Sequence, residues 1–255
     1  MSNKKEREKR REERIAAETK VSSTDRRSRI LQIAAGGVFL AVAVVVVLIV
    51  VSSSSNGSSG DTKLEEVATV EKLLAGIPQE GLVLGDPKAP VELIEFGDLQ
   101  CPICKGYSEE QLPPLIEGMV SEGKVKIDFR NFTIINEESI PAGAAAIAAA
   151  KQGRGWNYID IFYRNQGEER SGYITDEFMT AIAKGSGVKD IAKWNKERNN
   201  KDVLKEVEAT TAEASKYGFT GTPSFAIKGP STNGIHLLPS LATTGEFEEA
   251  IKEAS

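Results

Sequence analysis

The chain is short of the residues that build metal centres and disulfide-stapled folds. Among 255 residues there are two cysteines, one histidine, three methionines and two tryptophans. Two cysteines cannot form the multi-bridge framework of a small secreted scaffold. They also fall short of the four Cys/His ligands that a structural zinc site usually takes. The single histidine, His236, lies about 130 residues beyond the pair, so no metal site is assigned. Aromatic side chains make up 6% of the chain. None interleaves the charges of the N-terminal stretch KKEREKRREER, so no stacking platform for nucleic acid is expected there and no nucleic-acid partner is assigned.

Charge is unevenly spread. The formal net charge is -5, yet residues 1–29 carry eleven Lys/Arg against six Asp/Glu. The rest of the chain is therefore acidic, which reads as a basic arm on an acidic globular body. From Ile30 to Val51 there is no charge, and Gln32 is the one strongly polar side chain. A helix of that length spans about 33 Å, enough for a bilayer core of about 30 Å. Arg26, Arg27 and Arg29 precede it, so the N-terminus is expected to stay cytoplasmic and the remainder to be exported. A cleaved signal peptide is the competing reading. Its apolar core would normally run about 7–15 residues behind a shorter basic preamble. The expected organisation is a basic cytoplasmic tail at 1–29, a transmembrane helix at 30–51 in contact with membrane lipid, a Ser/Gly linker at 52–63 and one folded domain at 64–255.

Within that domain LEEVATVEKLLAGIP reads as a short amphipathic helix stopped by Gly76 and Pro78. GLVLG and VELIEF (91–96) read as strands. A helix is expected from about Pro102 to Val120, kinked at Pro113-Pro114. KVKIDFRNF alternates, with Val125, Ile127 and Phe129 on one face. A long helical stretch follows, from about 138 to 217. It holds an alanine-rich run suited to close packing, and Trp156, Ile159 and Tyr163 as a core stripe. SFAIKG (224–229) and GIHLLP (234–239) are expected as a hairpin, and TGEFEEAIKEAS as a closing helix. The order points to an α/β layered fold with a βαβ unit and a helical insertion.

The two cysteines, Cys101 and Cys104, occur in EFGDLQCPICKGY, after a strand and at the opening of a helix. Two buried, inert side chains are the bland reading, and the C-x-x-C spacing argues against it. At a helix N-terminus unpaired N–H groups and the macrodipole stabilise a thiolate on Cys101. Pro102 suits the first helical position. Cys104 lies one turn on, close enough for a disulfide. Glu95 shares a strand face with Val91 and Leu93, where burial would raise its pKa. An exposed or salt-bridged glutamate is the alternative. Pro223, in TGTPSF, heads a strand and is a candidate cis proline.

Together VELIEFGDLQCPIC, the helical insertion and GTPSF resemble the DsbA-like branch of the thioredoxin superfamily, specifically its membrane-anchored BdbD-type proteins, over about residues 75–255. The resemblance implies a thioredoxin fold with a helical insertion, preceded by one transmembrane helix, and a thiol:disulfide oxidoreductase needing no cofactor. By the same resemblance Cys101 is an exposed nucleophile and Cys104 a buried resolving thiol. Glu95 is the carboxyl six residues before the pair. Thr222 and Pro223 form the loop against the pair, with Thr222 offering its backbone to a substrate peptide beside Pro102 and Ile103. The implied partners are exported cysteine-containing proteins and a membrane redox partner of the DsbB or VKOR type. Ile103 departs from the histidine of the strongly oxidising Cys-Pro-His-Cys member, so a higher Cys101 pKa and a milder couple are expected here. The alternatives are a reductase or isomerase kept reduced across the membrane, and a non-catalytic peptide-binding or chaperone module, against which the intact C-x-x-C argues.

Overall fold

The computed structural model describes residues 63–255. The expected tail at 1–29, the span at 30–51 and the linker at 52–63, save Lys63, lie outside the described residues. No helix among the described residues is long and apolar enough to cross a membrane.

The chain opens with α1 (Val67–Leu73), β1 (Gln79–Glu80), β2 (Val83–Leu84) and β3 (Val91–Gly97). A continuous helical segment follows: α2 (Pro102–Gly106), a π-helical turn (Tyr107–Gln111), α3 (Leu112–Leu115) and a second π-helical turn (Ile116–Val120). Then come β4 (Val125–Asn131), α4 (Ser139–Ala150), α5 (Gly155–Arg164), α6 (Asp176–Gly185), α7 (Ile191–Arg198) and α8 (Lys201–Lys216). The chain closes with β5 (Ser224–Lys228), β6 (His236–Leu237) and α9 (Thr244–Ala254).

The strands form one mixed sheet in the order β1-β2-β4-β3-β5-β6. β3 runs parallel to β4, joined by the helical crossover, and antiparallel to β5. β3 is thus central, with ladder partners on both sides. Its alternation sorts two cores. Val91 and Leu93 face the main core with Cys101, Cys104, Tyr107 and the aromatic side chains of α5. Ile94 and Phe96 face the other side, with Phe132 and Ala214 of α8. Glu95 has the parity of Val91 and Leu93, so its side chain enters the main core, where it is 1% exposed.

The 138–217 stretch is five helices that pack as a unit on the sheet. The alanines of α4 let neighbouring helices approach closely: the Trp194 indole N–H donates to the Ala145 carbonyl at 2.9 Å. α5 is buried almost all round, as Trp156, Tyr158, Ile159, Ile161, Phe162 and Tyr163 are all covered. α9 begins with a capping box in which Thr243 and Glu246 satisfy each other's backbone N–H groups.

Two details add to the sequence expectations, and one expectation, the strand over 234–239, needs correction. The segment 102–120 passes through Pro113 and Pro114 as helix. Each proline lacks an N–H and crowds the carbonyl four residues back, and wider π-helical turns flank them on either side. The hairpin strand expected over 234–239 shrinks to two exposed residues, His236 and Leu237, paired with Ile227 and Ala226. β1 was not foreseen, because two residues carry no periodicity.

Candidate active site

β3 ends at Gly97 against a wall of aromatic rings. A Cβ there would lie 2.6 Å from the Phe129 ring and 3.1 Å from the Tyr163 hydroxyl, so glycine allows the close approach. The chain then turns. Asp98 holds that turn: one carboxylate oxygen accepts the Gln100 N–H, and the other accepts those of Ile134 and Ile135. Gln166, at the end of α5, donates to the carbonyls of Leu99 and Cys101 at 2.8 and 3.2 Å. These bonds fix the backbone that presents the cysteines.

Cys101 caps α2. Its backbone is extended, its sulfur accepts the Cys104 N–H at 3.4 Å, and Pro102 occupies the first turn. Both cysteines are free thiols. The Thr222–Pro223 peptide is cis, and the Cys101 thiol donates to the Thr222 carbonyl at 3.2 Å. The loop foreseen from TGTPSF therefore lies on the sulfur. Pro223 is buried and Thr222 half-buried, while Pro102 and Ile103 stand outward, Ile103 being 50% exposed. His236 sits on the edge strand, two strands away from β3.

The expectation of an exposed Cys101 is corrected. The residue is 4% exposed, because the Thr222 loop closes over it, and Cys104 is fully buried. The two sulfurs still differ sharply in acidity. The adjoining Cys104 thiol is the largest influence holding Cys101 down, to about 6, against the opposing push of burial, and the backbone N–H groups of Cys104 and Ile103 assist. The Thr222 side chain assists as well, whereas its carbonyl, an acceptor, favours the protonated sulfur. Burial first, then the Cys101 neighbour, pushes Cys104 well above an ordinary thiol, and the Glu95 charge adds to it. Burial is also the main cause that raises Glu95 to about 8, with the charges of Asp160 and Cys101 behind it.

Such a pair can do dithiol–disulfide exchange: one sulfur is largely thiolate at neutral pH, the other holds its proton, and a protonated carboxyl lies below. Among the described residues no group of His, Cys, Asp and Glu could hold a metal ion. The sequence brought Cys101, Cys104, Glu95, Thr222, Pro223, Pro102 and Ile103 into view. It missed Asp98 and Gln166, which hold the cysteine turn, and Asp160, whose charge helps to raise Glu95. The available signal for Asp160 was a carboxylate in the middle of WNYIDIFY, an otherwise apolar helical run.

Comparison with known proteins agrees with this chemistry. A family model described as Thioredoxin matches residues 78–252. The chain is 33% identical over 153 residues to a probable disulfide bond formation protein D of Bacillus cereus, covering 59% of this chain and 71% of the relative. It is 25% identical to the disulfide bond formation protein D of Bacillus subtilis, covering 67% of this chain and 75% of that one. Among solved structures, oxidised BdbD from Bacillus subtilis superposes with a TM-score of 0.61 at 20% identity, over 70% of this chain and 97% of that one. Alpha-DsbA1 of Wolbachia pipientis gives 0.58 at 22% identity, over 71% and 91%. The family model covers more than half of the chain, and the Bacillus cereus relative exceeds 30% identity: this chain belongs to the thioredoxin family, as a DsbA-like thiol:disulfide oxidoreductase.

Proposed function

We propose that the chain is a membrane-tethered oxidase, extracytoplasmic in its catalytic domain, that forms disulfides in exported proteins through Cys101 and Cys104. The observation that carries this reading is the placement of the two sulfurs: Cys101 caps α2, where its sulfur accepts the Cys104 N–H at 3.4 Å, while Cys104 is fully buried, and the lowered pKa of the first and raised pKa of the second agree with it. A thiolate stabilised in the dithiol form favours that form over the disulfide, which makes the disulfide an oxidant.

In the proposed cycle a substrate thiolate attacks Cys101 Sγ, the Cys101–Cys104 bond breaks, and Cys104 leaves and is protonated. A second substrate thiolate then attacks the substrate sulfur of the mixed disulfide. Cys101 departs as the stabilised thiolate, and both substrate electrons remain on the dithiol. Pro102 and Ile103, standing outward, and the Thr222–Pro223 loop would seat the substrate segment. Reoxidation falls to a membrane partner of the DsbB or VKOR type. The apolar run 30–51 behind Arg26, Arg27 and Arg29 supports the tether and its orientation.

The reading is tested by equilibrating the couple with glutathione. A potential nearer about -120 mV than about -270 mV supports an oxidase, and the reverse supports a reductase. A reporter active only after export, fused after Ser255, tests the orientation. A stable, membrane-bound but inactive fusion would reverse it.

A further inference from the structure

At the sheet edge that carries the cysteines, three chain segments meet. β3 and β4 run parallel and end in register, Gly97 beside Asn131, and β5 begins there in the opposite sense, Ser224 beside Phe96. The cysteine turn therefore has the Thr222–Pro223 loop on one flank and the segment 132–138, which leaves β4, on the other. The Thr222 flank touches the Cys101 sulfur. The β4 flank has no part in the exchange cycle, yet it is tied to the cysteine turn bond by bond. The Phe132 N–H donates to the Gly97 carbonyl at 2.8 Å, and the Ile134 and Ile135 N–H groups donate to one Asp98 oxygen at 2.9 and 3.0 Å. Gln100, fully buried just before Cys101, donates its amide to the Asn136 side-chain oxygen and, at 2.9 Å, to Ser139 Oγ.

Arg170, in the loop between α5 and α6, completes this flank. Its backbone N–H donates to Gln100 Oε1 at 3.1 Å, and its Nε donates to the Ile135 carbonyl at 3.2 Å. The residue is exposed, and its φ of 60° is a left-handed conformation that side chains disfavour, so its bonds hold it there. Five arginines lie among the described residues. Arg130, Arg154, Arg164 and Arg198 each pair with a carboxylate, and among the described residues Arg170 pairs with none. Glu168 and Glu169 precede it and Glu137 lies on the 132–138 segment, all three exposed, and none forms an ion pair with it. Two bonds thus fix where the guanidinium stands, and its two Nη groups carry no acid. Ile134, next in the chain to the carbonyl that holds Arg170, is 40% exposed.

We propose that Arg170 is a specificity-determining residue for exchange: its guanidinium receives one carboxylate, an Asp or Glu side chain two or three residues from the reacting cysteine of the substrate, and Ile134 packs against an apolar neighbour of that acid. This rests on the reading of Cys101 as the sulfur that takes the substrate. Gln100 directly precedes Cys101 and bonds to Arg170, so a polypeptide joined to the Cys101 sulfur brings its second or third residue to this flank, at about 3.3 Å per extended residue. With Nε occupied by the Ile135 carbonyl, the two Nη groups form the remaining pair of donors, and a carboxylate matches them with its two oxygens. The three nearby glutamates narrow the ligand further. They oppose a diffusely acidic chain and leave only direct contact with the guanidinium favourable, so the preference is for one acid at one place. The Thr222 flank would take the substrate backbone, and the Arg170 flank would read a side chain.

The test is oxidation of two-cysteine peptides by the full chain in its disulfide form. The peptides come in pairs that differ only by Glu or Gln at the second or third residue before the first cysteine or after the second. The ratio of kcat/KM for the Glu peptide to that for the Gln peptide is compared between wild type and Arg170→Asn, so that the effect of the glutamate on the peptide's own thiols cancels. Asparagine tolerates the left-handed conformation and keeps the N–H that Gln100 accepts. At one of those positions the wild-type ratio should exceed the Arg170→Asn ratio by about threefold at low ionic strength, as befits a single exposed ion pair. The gap should close in about 1 M salt. An Arg170→Asn protein that slows the Glu and Gln peptides alike at every position marks a mere staple of the loop and overturns the proposal. If Arg170→Asn does not fold, Arg170→Gly, which suits the same φ, takes its place and is judged by the same ratios. Failure of the underlying reading looks different: wild type leaves all the peptides reduced, or Cys101→Ser still oxidises them.

Discussion

Replacing Glu95 by glutamine should make the dithiol protein more stable, increasingly so as the pH rises. The wild-type carboxyl is raised from 4.5 to about 8 in the fold, mainly by burial. Below pH 4.5 the folded and unfolded states both hold the proton, and nothing is lost. Between the two values the unfolded chain releases the proton while the folded state keeps it, so stability falls with pH, and above about 8 the loss is complete. At about 1.4 kcal/mol per unit the full cost is about 5 kcal/mol, of which about 3.5 kcal/mol develops between pH 5 and 8. A glutamine never ionises. Its amide meets the same partnerless surroundings as Glu95 Oε1, but that penalty does not depend on pH. Urea unfolding of both proteins under reducing conditions, repeated from pH 5 to 8, reads the titration in the difference, where groups remote from Glu95 cancel and only those that share its field, Cys101, Cys104 and Asp160, contribute beside it. With a slope of about 2 kcal/mol/M, the gap between the two midpoints should widen by about 1.5–2 M over that range. Parallel curves would show that Glu95 titrates as an ordinary carboxyl and would refute the burial reasoning.

Three further outcomes are expected. In Cys104→Ser, Cys101 should be alkylated rapidly at neutral pH. In Cys101→Ser, Cys104 should react far more slowly, and equal rates would deny the difference in acidity. Ile103→His should lower the Cys101 pKa by about one unit through an imidazolium beside the thiolate, and should raise the reduction potential; ultraviolet thiolate absorbance against pH checks it. Gln166→Ala, which removes the side chain that braces the Leu99 and Cys101 carbonyls, should slow exchange by a few-fold while leaving the Cys101 titration close to wild type; peptide oxidation and thiolate absorbance measured together check both parts.

Much of the site was legible because its parts are local. Strand, C-x-x-C and helix follow one another within EFGDLQCPICKGY, so the cap at Cys101 and the face of Glu95 follow from side-chain alternation and helix geometry alone. The Thr222–Pro223 loop was legible only in company with the cysteine pair, since 121 residues separate Cys101 from the carbonyl it meets. The coverage of Cys101 was not legible, because it depends on how that loop settles in three dimensions. Asp160 escaped for the same reason. Its helical stripe reads as core, and nothing in that stripe tells that one of its carboxylates is buried with its charge felt at Glu95. The π-helical turns about Pro113 and Pro114 escaped because a proline pair marks a kink in a helix without telling how the neighbouring turns widen around it.

The central claim, that exchange runs through Cys101 with Cys104 as the resolving thiol, is tested most directly by locating the trapped sulfur. Cys104→Ser and Cys101→Ser are each offered an oxidised two-cysteine peptide, quenched by acid, and digested for mass spectrometry. The expected result is a mixed disulfide joining the peptide to Cys101 in Cys104→Ser, and little adduct in Cys101→Ser. An adduct that forms readily at Cys104 in Cys101→Ser, with Cys101 unmodified in the other variant, would contradict the assignment.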